Sequence, residues 1–106
     1  MNRAQRYTYR VWWSSEDSQY VATIAEFPSL SWLSDTQESA LQGAVSLVTD
    51  ILQDMDDNGE EAPEPLGSKS YSGKFQVRIT PEAHRRIAME AAEEGVSLNR
   101  LVASRL

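Results

Sequence analysis

The sequence predicts an α+β protein in which an antiparallel sheet of three or four strands packs against one long helix. A strand and two short helices follow. Three observations support this prediction. Short runs with period-two alternation occur before residue 35. Apolar residues then recur at three- and four-residue spacing for about five helical turns. A segment rich in proline, glycine and serine finally precedes a second alternating run.

The strands of the sheet are predicted at residues 7–13, 20–25 and 30–34. The first two are close enough to form a hairpin. The third begins just after Pro28, a residue that a central strand excludes. Alternation in the first strand divides its side chains between two faces, with Tyr7, Tyr9, Val11 and Trp13 on one and Thr8, Arg10 and Trp12 on the other.

The long helix is expected to begin at Asp35 or Thr36, with Glu38 completing a capping box with Asp35. Its end is expected at residues 56–59, where Asn58 and Gly59 follow two aspartates. The apolar stripe that would cover the sheet consists of Leu41, Ala44, Val45, Val48, Ile51, Leu52 and Met55.

A linker is predicted at residues 61–73, between a first domain at 1–60 and a second at 74–106. Residues 68–71 could instead add an edge strand to the first domain. Charge supports the division, since residues 1–66 carry three basic and twelve acidic side chains, a net charge of −9. Residues 67–106 carry seven basic and four acidic side chains, a net charge of +3. The two halves should prefer different partners.

The second domain opens with a strand at residues 74–79, followed by Thr80 and Pro81 at the start of a helix. Gly95 fits the end of that helix, and Ser97 caps the next one. A strand and two helices in about 35 residues cannot form a stable core alone. We therefore expect the strand to pair with a second copy, in a homodimer or a higher even-numbered oligomer. The predicted dimer core is Phe75, Val77, Ile79, Leu98, Leu101 and Val102.

The opposite face of the paired strands would present Lys74, Gln76 and Arg78 from both copies. A two-stranded ribbon fits the DNA major groove, where lysine and arginine match guanine and glutamine matches adenine. The free amides after Ser97, those of Leu98 and Asn99, would bind phosphate. Operator DNA is thus one expected partner. Two capped helices around Gly95 also suit a helix-turn-helix, but that motif has no need of the basic strand.

The segment "KFQVRITPEAHRRIAMEAAEEGVSLNRLVASRL" resembles the ribbon-helix-helix repressor domains of the Arc and MetJ type. Together with "YVATIAEFPSLSWLSDTQESALQGAVSLVTDILQDMDDNGEEAPEP", it resembles the HicB family of type II antitoxins. The resemblance implies a partial RNase H-like first domain that inhibits a basic mRNA-cleaving ribonuclease, HicA. It also implies an intertwined C-terminal dimer that represses the operon.

Catalysis is not expected, because the first strand lacks the acidic residue that two-metal hydrolysis normally takes from it. Candidate toxin contacts are Trp12, Trp32, Asp54, Asp56 and Asp57. The simpler interpretation of the aspartates is an ordinary solvated surface. The simpler interpretation of Trp12 is that an N-terminal or linker segment folds over its face of the sheet. The other function considered is a stand-alone regulator whose first domain binds a ligand or oligomerises.

Compartment and cofactors are constrained by composition. The 106 residues include no cysteine, which excludes disulfides and thiolate zinc sites. No apolar run reaches the roughly 18–20 residues that span a bilayer, and the N-terminus lacks a signal-peptide pattern. We expect a cytoplasmic protein without a cofactor or metal.

Overall fold

The computed structural model describes residues 2–106 and divides the chain into two compact units, the first ending at Tyr71 and the second beginning at Ser72. The first contains strands β1 (Tyr9–Ser14), β2 (Gln19–Ile24) and β3 (Phe27–Ser34), helix α1 (Gln37–Asp57), and short 3-10 turns at Arg3–Arg6 and Leu66–Ser68. The second contains helices α2 (Pro81–Glu94) and α3 (Leu98–Ser104). The predicted α+β class and three-stranded antiparallel sheet are confirmed.

The sheet has the order β1-β2-β3, with both neighbouring pairs antiparallel. Strand β3 begins earlier than predicted and includes Pro28. Two features accommodate the proline: β3 is an edge strand, and its register with β2 shifts between Thr23 and Ile24. An irregular edge position does not require the N–H that proline lacks.

Helix α1 covers one face of the sheet through small side chains. Ala40 and Ala44 are fully buried and let the helix approach the strands closely, whereas Ile24 and Val48 are the largest fully buried side chains. The predicted stripe is confirmed at Ala44, Val48 and Leu52, but Ala40 rather than Leu41 extends it toward the N-terminus. Leu41 is 41% exposed because it lies at the margin of the stripe.

The N-cap of α1 is Thr36, whose hydroxyl accepts a hydrogen bond from the Ser39 N–H at 3.0 Å. The Thr36 N–H in turn donates to the Ser39 hydroxyl, so the capping box is formed by Thr36 and Ser39. The predicted box of Asp35 and Glu38 is wrong, since Asp35 precedes the cap and accepts from the Gln19 amide instead. At the other end, Asn58 is the C-cap.

The segment after α1 is held against the first unit by specific contacts. Ala62 packs on the core, and the Tyr7 hydroxyl donates to the Pro63 carbonyl at 2.6 Å. The Leu66 N–H donates to the Glu26 carboxylate at 2.9 Å. Much of the predicted linker 61–73 therefore lies with the sheet, and the chain divides near the linker's C-terminal end. Residues 68–71 form no strand.

Glu26 should make the first unit sensitive to acid. Burial alone would raise its pKa, but hydrogen bonds from Leu66 and Thr8 outweigh that effect and hold the pKa below 4.5. The ionised carboxylate therefore stabilises the fold at higher pH, and this contribution is lost as pH falls through the lowered pKa. We expect Glu26→Gln to lower stability at neutral pH and to flatten its loss below pH 4.5.

Urea unfolding followed by tryptophan fluorescence measures this effect, because Trp12, Trp13 and Trp32 all lie in the first unit. Glu60→Gln is the matched control, since Glu60 is an exposed acid in the same unit. An identical pH dependence in the Glu26 variant and the native chain would show that these hydrogen bonds do not stabilise the fold.

The second unit has the helix ends that its sequence predicts. The Thr80 hydroxyl accepts from the Ala83 N–H at 3.1 Å, and Pro81 occupies the first turn of α2. Gly95 ends α2 with a φ of 68°, a left-handed conformation that suits glycine. The Ser97 hydroxyl caps α3 by accepting from the Arg100 N–H.

Candidate nucleic-acid and partner-binding surfaces

Residues 74–79 form neither a helix nor a strand within the single chain. Their apolar side chains are nonetheless large and solvent-exposed, with Phe75 71% exposed, Val77 64% and Ile79 47%. Exposed apolar side chains of this size at every second position are typical of a surface that binds another molecule. The predicted strand pairing requires a second copy, so the strand stays a prediction.

The rest of the predicted dimer core lies on α3. Leu101 is buried against its own chain, Leu98 is half-buried, and Val102 is 36% exposed. Ala91 and Leu101 are the buried apolar residues of the second unit. A core of this size is too small to stabilise an independent domain. The unit therefore needs further apolar cover.

The predicted base-reading residues Lys74, Gln76 and Arg78 are all exposed. Within residues 2–106, no hydrogen bond or salt bridge engages their side chains. Alternation places them opposite Phe75 and Val77 whenever the segment is extended. Their side chains are thus free to contact another molecule.

The predicted phosphate clamp lies at the first turn of α3. The Ser97 hydroxyl is occupied by the Arg100 N–H at 3.1 Å, and its carbonyl accepts from the Leu101 N–H at 3.0 Å. Leu98 and Asn99 provide the first amides of the helix, which lack intrahelical acceptors. The phosphate contact of these amides stays a prediction.

The face of the sheet opposite α1 carries an apolar row formed by Trp12, Val21 and Leu33, here named the open-face row. Strand register aligns Trp12 with Val21 and Val21 with Leu33, while their neighbour Ala22 is buried on the α1 side. The Arg10 guanidinium lies 4.8 Å from the centroid of the Trp12 ring. Val21 at the centre of the row is buried, whereas Trp12 is half-buried and Leu33 is 39% exposed, so an apolar partner could contact the two ends of the row.

Trp32 lies on the other side of the sheet. It pairs with Ala22 in the strand register and packs over Gly43 of α1, where a β-carbon would overlap its indole ring. Trp12 and Trp32 therefore face opposite directions. The structure does not bring these two predicted toxin contacts together.

The predicted acidic contacts cluster at the C-terminus of α1, whose last turn contains no basic residue. Asp56 accepts from Arg3 at 3.2 Å, and Asp57 accepts from the Gln53 amide at 3.0 Å. Because the helix dipole disfavours negative charge at this end, a cationic partner would stabilise the site. The predicted toxin residues thus lie in three places: the open face, the α1 side and the end of α1.

In the part of the chain that the structure describes, no group of three or more histidine, cysteine, aspartate or glutamate side chains could hold a metal ion. No helix between residues 2 and 106 combines the length and apolar character needed to cross a membrane.

Comparison with known proteins supports the resemblance read from the sequence. Residues 57–106 match the HicB family, an antitoxin family. This range includes the end of α1, the connecting segment, and helices α2 and α3. No match was found among curated proteins or among solved structures. Over residues 57–106, a little under half of its length, the chain is similar to the HicB family.

Proposed function

We propose that this protein is a cytoplasmic antitoxin of a type II toxin–antitoxin pair. Its first unit neutralises a HicA-like ribonuclease by covering it, and its second unit represses transcription of its own operon. The observation that supports this most directly is the exposed alternation of residues 74–79 beside two capped helices. The HicB match includes this whole arrangement.

Dimerisation would give the second unit the core that it lacks. Two copies of residues 74–79, paired as antiparallel strands, would bury Phe75, Val77 and Ile79 against the helices. The same pairing would present Lys74, Gln76 and Arg78 twice on a ribbon that fits the major groove. Such a ribbon-helix-helix dimer would clamp phosphates with the first turn of α3.

The first unit has the charge expected of a ribonuclease inhibitor. Residues 1–71 carry a net charge of −8 from four basic and twelve acidic side chains. A ribonuclease that binds RNA phosphates presents a basic surface, which this field would attract. In this proposal the acidic end of α1 steers the toxin, and the open-face row supplies an apolar contact. The proposal includes a partial RNase H-like fold for this unit.

Co-expression tests the proposal as a whole. The neighbouring reading frame should encode a small basic ribonuclease, and growth arrest caused by its expression should be relieved by the full chain. Absence of such a neighbour, or persistent arrest despite stable co-expression, would contradict the antitoxin assignment. Retained sequence-specific DNA binding in that case would favour a stand-alone regulator.

Arg78→Ala should weaken specific operator binding by about 1–3 kcal/mol, the range for one bidentate base contact. Its side chain is exposed, so the fold should not change. Gel-shift titration at physiological salt, with specific and unrelated DNA, measures the loss. Ser15→Ala, at an exposed position of the first unit, is the control. Unchanged affinity and specificity would show that Arg78 does not contact the bases of the operator.

A further inference from the structure

The chain that follows α1 is fastened to one end of the sheet. Tyr7 precedes β1 and Glu26 follows β2, and antiparallel pairing places both at the same end. The Tyr7 hydroxyl donates to the Pro63 carbonyl at 2.6 Å. The Leu66 N–H donates to the Glu26 carboxylate at 2.9 Å. Residues 62–68, here named the strap, are therefore bound to the first unit at two points.

The contacts that hold the strap are few and lie near solvent. Within residues 2–106, these two hydrogen bonds are the ones that join the strap to earlier parts of the chain. Ala62 packs against the core, but most of the other strap residues are exposed. Leu66, the largest apolar side chain of the strap, is 38% exposed. A segment with so few buried contacts opens at a lower free energy than the packed sheet to which it is bound.

We propose that the strap opens while the sheet and α1 remain folded, and that its opening lengthens the tether between the two units. With the strap closed, residues 69–73 connect it to the predicted strand of the second unit. With the strap open, residues 61–73 form the tether. For a flexible chain, the root-mean-square length is about 12 Å for the shorter tether and about 20 Å for the longer one.

The two tether lengths allow the units different ranges of separation. A partner that holds the units further apart than the short tether permits would stabilise the open strap, because binding favours the state that fits it. An open strap would in turn strengthen the binding of that partner, since such coupling is reciprocal. The device depends on contacts inside the first unit, so it does not rest on the proposed antitoxin function.

Amide hydrogen exchange in the full chain tests whether the strap opens separately. Relative to its intrinsic rate, the Leu66 N–H should exchange at least about tenfold faster than the Ala22 N–H of β2. Its rate should change little at low urea concentrations, because opening a short segment exposes little surface. Ala22 is fully buried and should exchange only on global unfolding, with a steep urea dependence. Equal rates with the same urea dependence would overturn the proposal.

Distances between two spin labels test the change in tether length. The native chain contains no cysteine, so Ser15→Cys in the first unit and His84→Cys in the second provide two exposed labelling sites. Labelled chains are diluted into an excess of unlabelled protein, so that the measured distances lie within one chain. The distribution of these distances reports the range of separations that the tether allows.

Removing both strap bonds should lengthen and broaden this distribution. The variant is Tyr7→Phe with Glu26→Ala, which deletes the donor to Pro63 and the acceptor for Leu66. Tyr20→Phe with Glu60→Ala is the matched control, because it deletes the same groups elsewhere in the first unit and should leave the distribution unchanged. Native tryptophan fluorescence confirms that the first unit is folded in each. An unchanged distribution in the folded strap variant would overturn the proposal, and if that variant does not fold, exchange in the native chain decides.

Discussion

Val77→Asp is expected to convert the protein to single chains and to abolish operator binding. Val77 is 64% exposed in the single chain, so an aspartate costs little there. In the proposed ribbon the same position is buried in both copies. Burying an unpaired carboxylate costs several kcal/mol per ion. Two of them should weaken the dimer by about a thousandfold or more, since each 1.4 kcal/mol is tenfold.

Light scattering and gel shift measure the two losses. The variant should have the mass of one chain, 11.9 kDa, whereas the native protein should have an even multiple of it. Gln76→Ala is the matched control, because the neighbouring side chain lies on the other face and its removal should leave the dimer intact. Tryptophan fluorescence of the first unit should be native in both variants. A Val77→Asp protein that still dimerises would exclude the ribbon.

Local sequence signals predicted most of the secondary structure. Thr80, Gly95 and Ser97 fixed the ends of α2 and α3, because capping depends on side chains within a few residues. The same rules left the start of α1 ambiguous. Asp35 and Thr36 are both good caps, and the choice depended on where β3 ended.

Contacts between distant residues were not predictable from such signals. The Glu26 carboxylate binds Leu66 across forty residues, and no spacing rule indicates that contact. Gly43 inside an amphipathic helix was a usable sign of close packing, but the sequence did not identify Trp32 as the neighbour. The predicted strand at 74–79 requires a second chain, so it stays a prediction.

Neutralising the acidic end of α1 is expected to slow toxin association strongly. The triple variant Asp54→Asn, Asp56→Asn and Asp57→Asn removes three negative charges from a unit whose field would steer a basic partner. Electrostatic steering raises association rates by about 10–10³-fold, so we expect at least about tenfold slower association at low ionic strength. The difference should shrink as salt screens the field. Stopped-flow binding to the purified toxin from the neighbouring reading frame measures the association rate and its dependence on salt.

The matched control is Glu16→Gln, Asp17→Asn and Asp35→Asn, which removes the same charge from exposed sites outside α1. Equal slowing by both triple variants would mean that net charge, rather than the end of α1, attracts the toxin.

Trp12→Ala distinguishes direct contact with the toxin from electrostatic steering of its approach. Trp12 lies on the sheet face opposite α1, and loss of an apolar anchor chiefly raises the dissociation rate. If that variant leaves dissociation unchanged while the α1 variant raises it, the toxin binds at the acidic end and the open-face row serves another purpose.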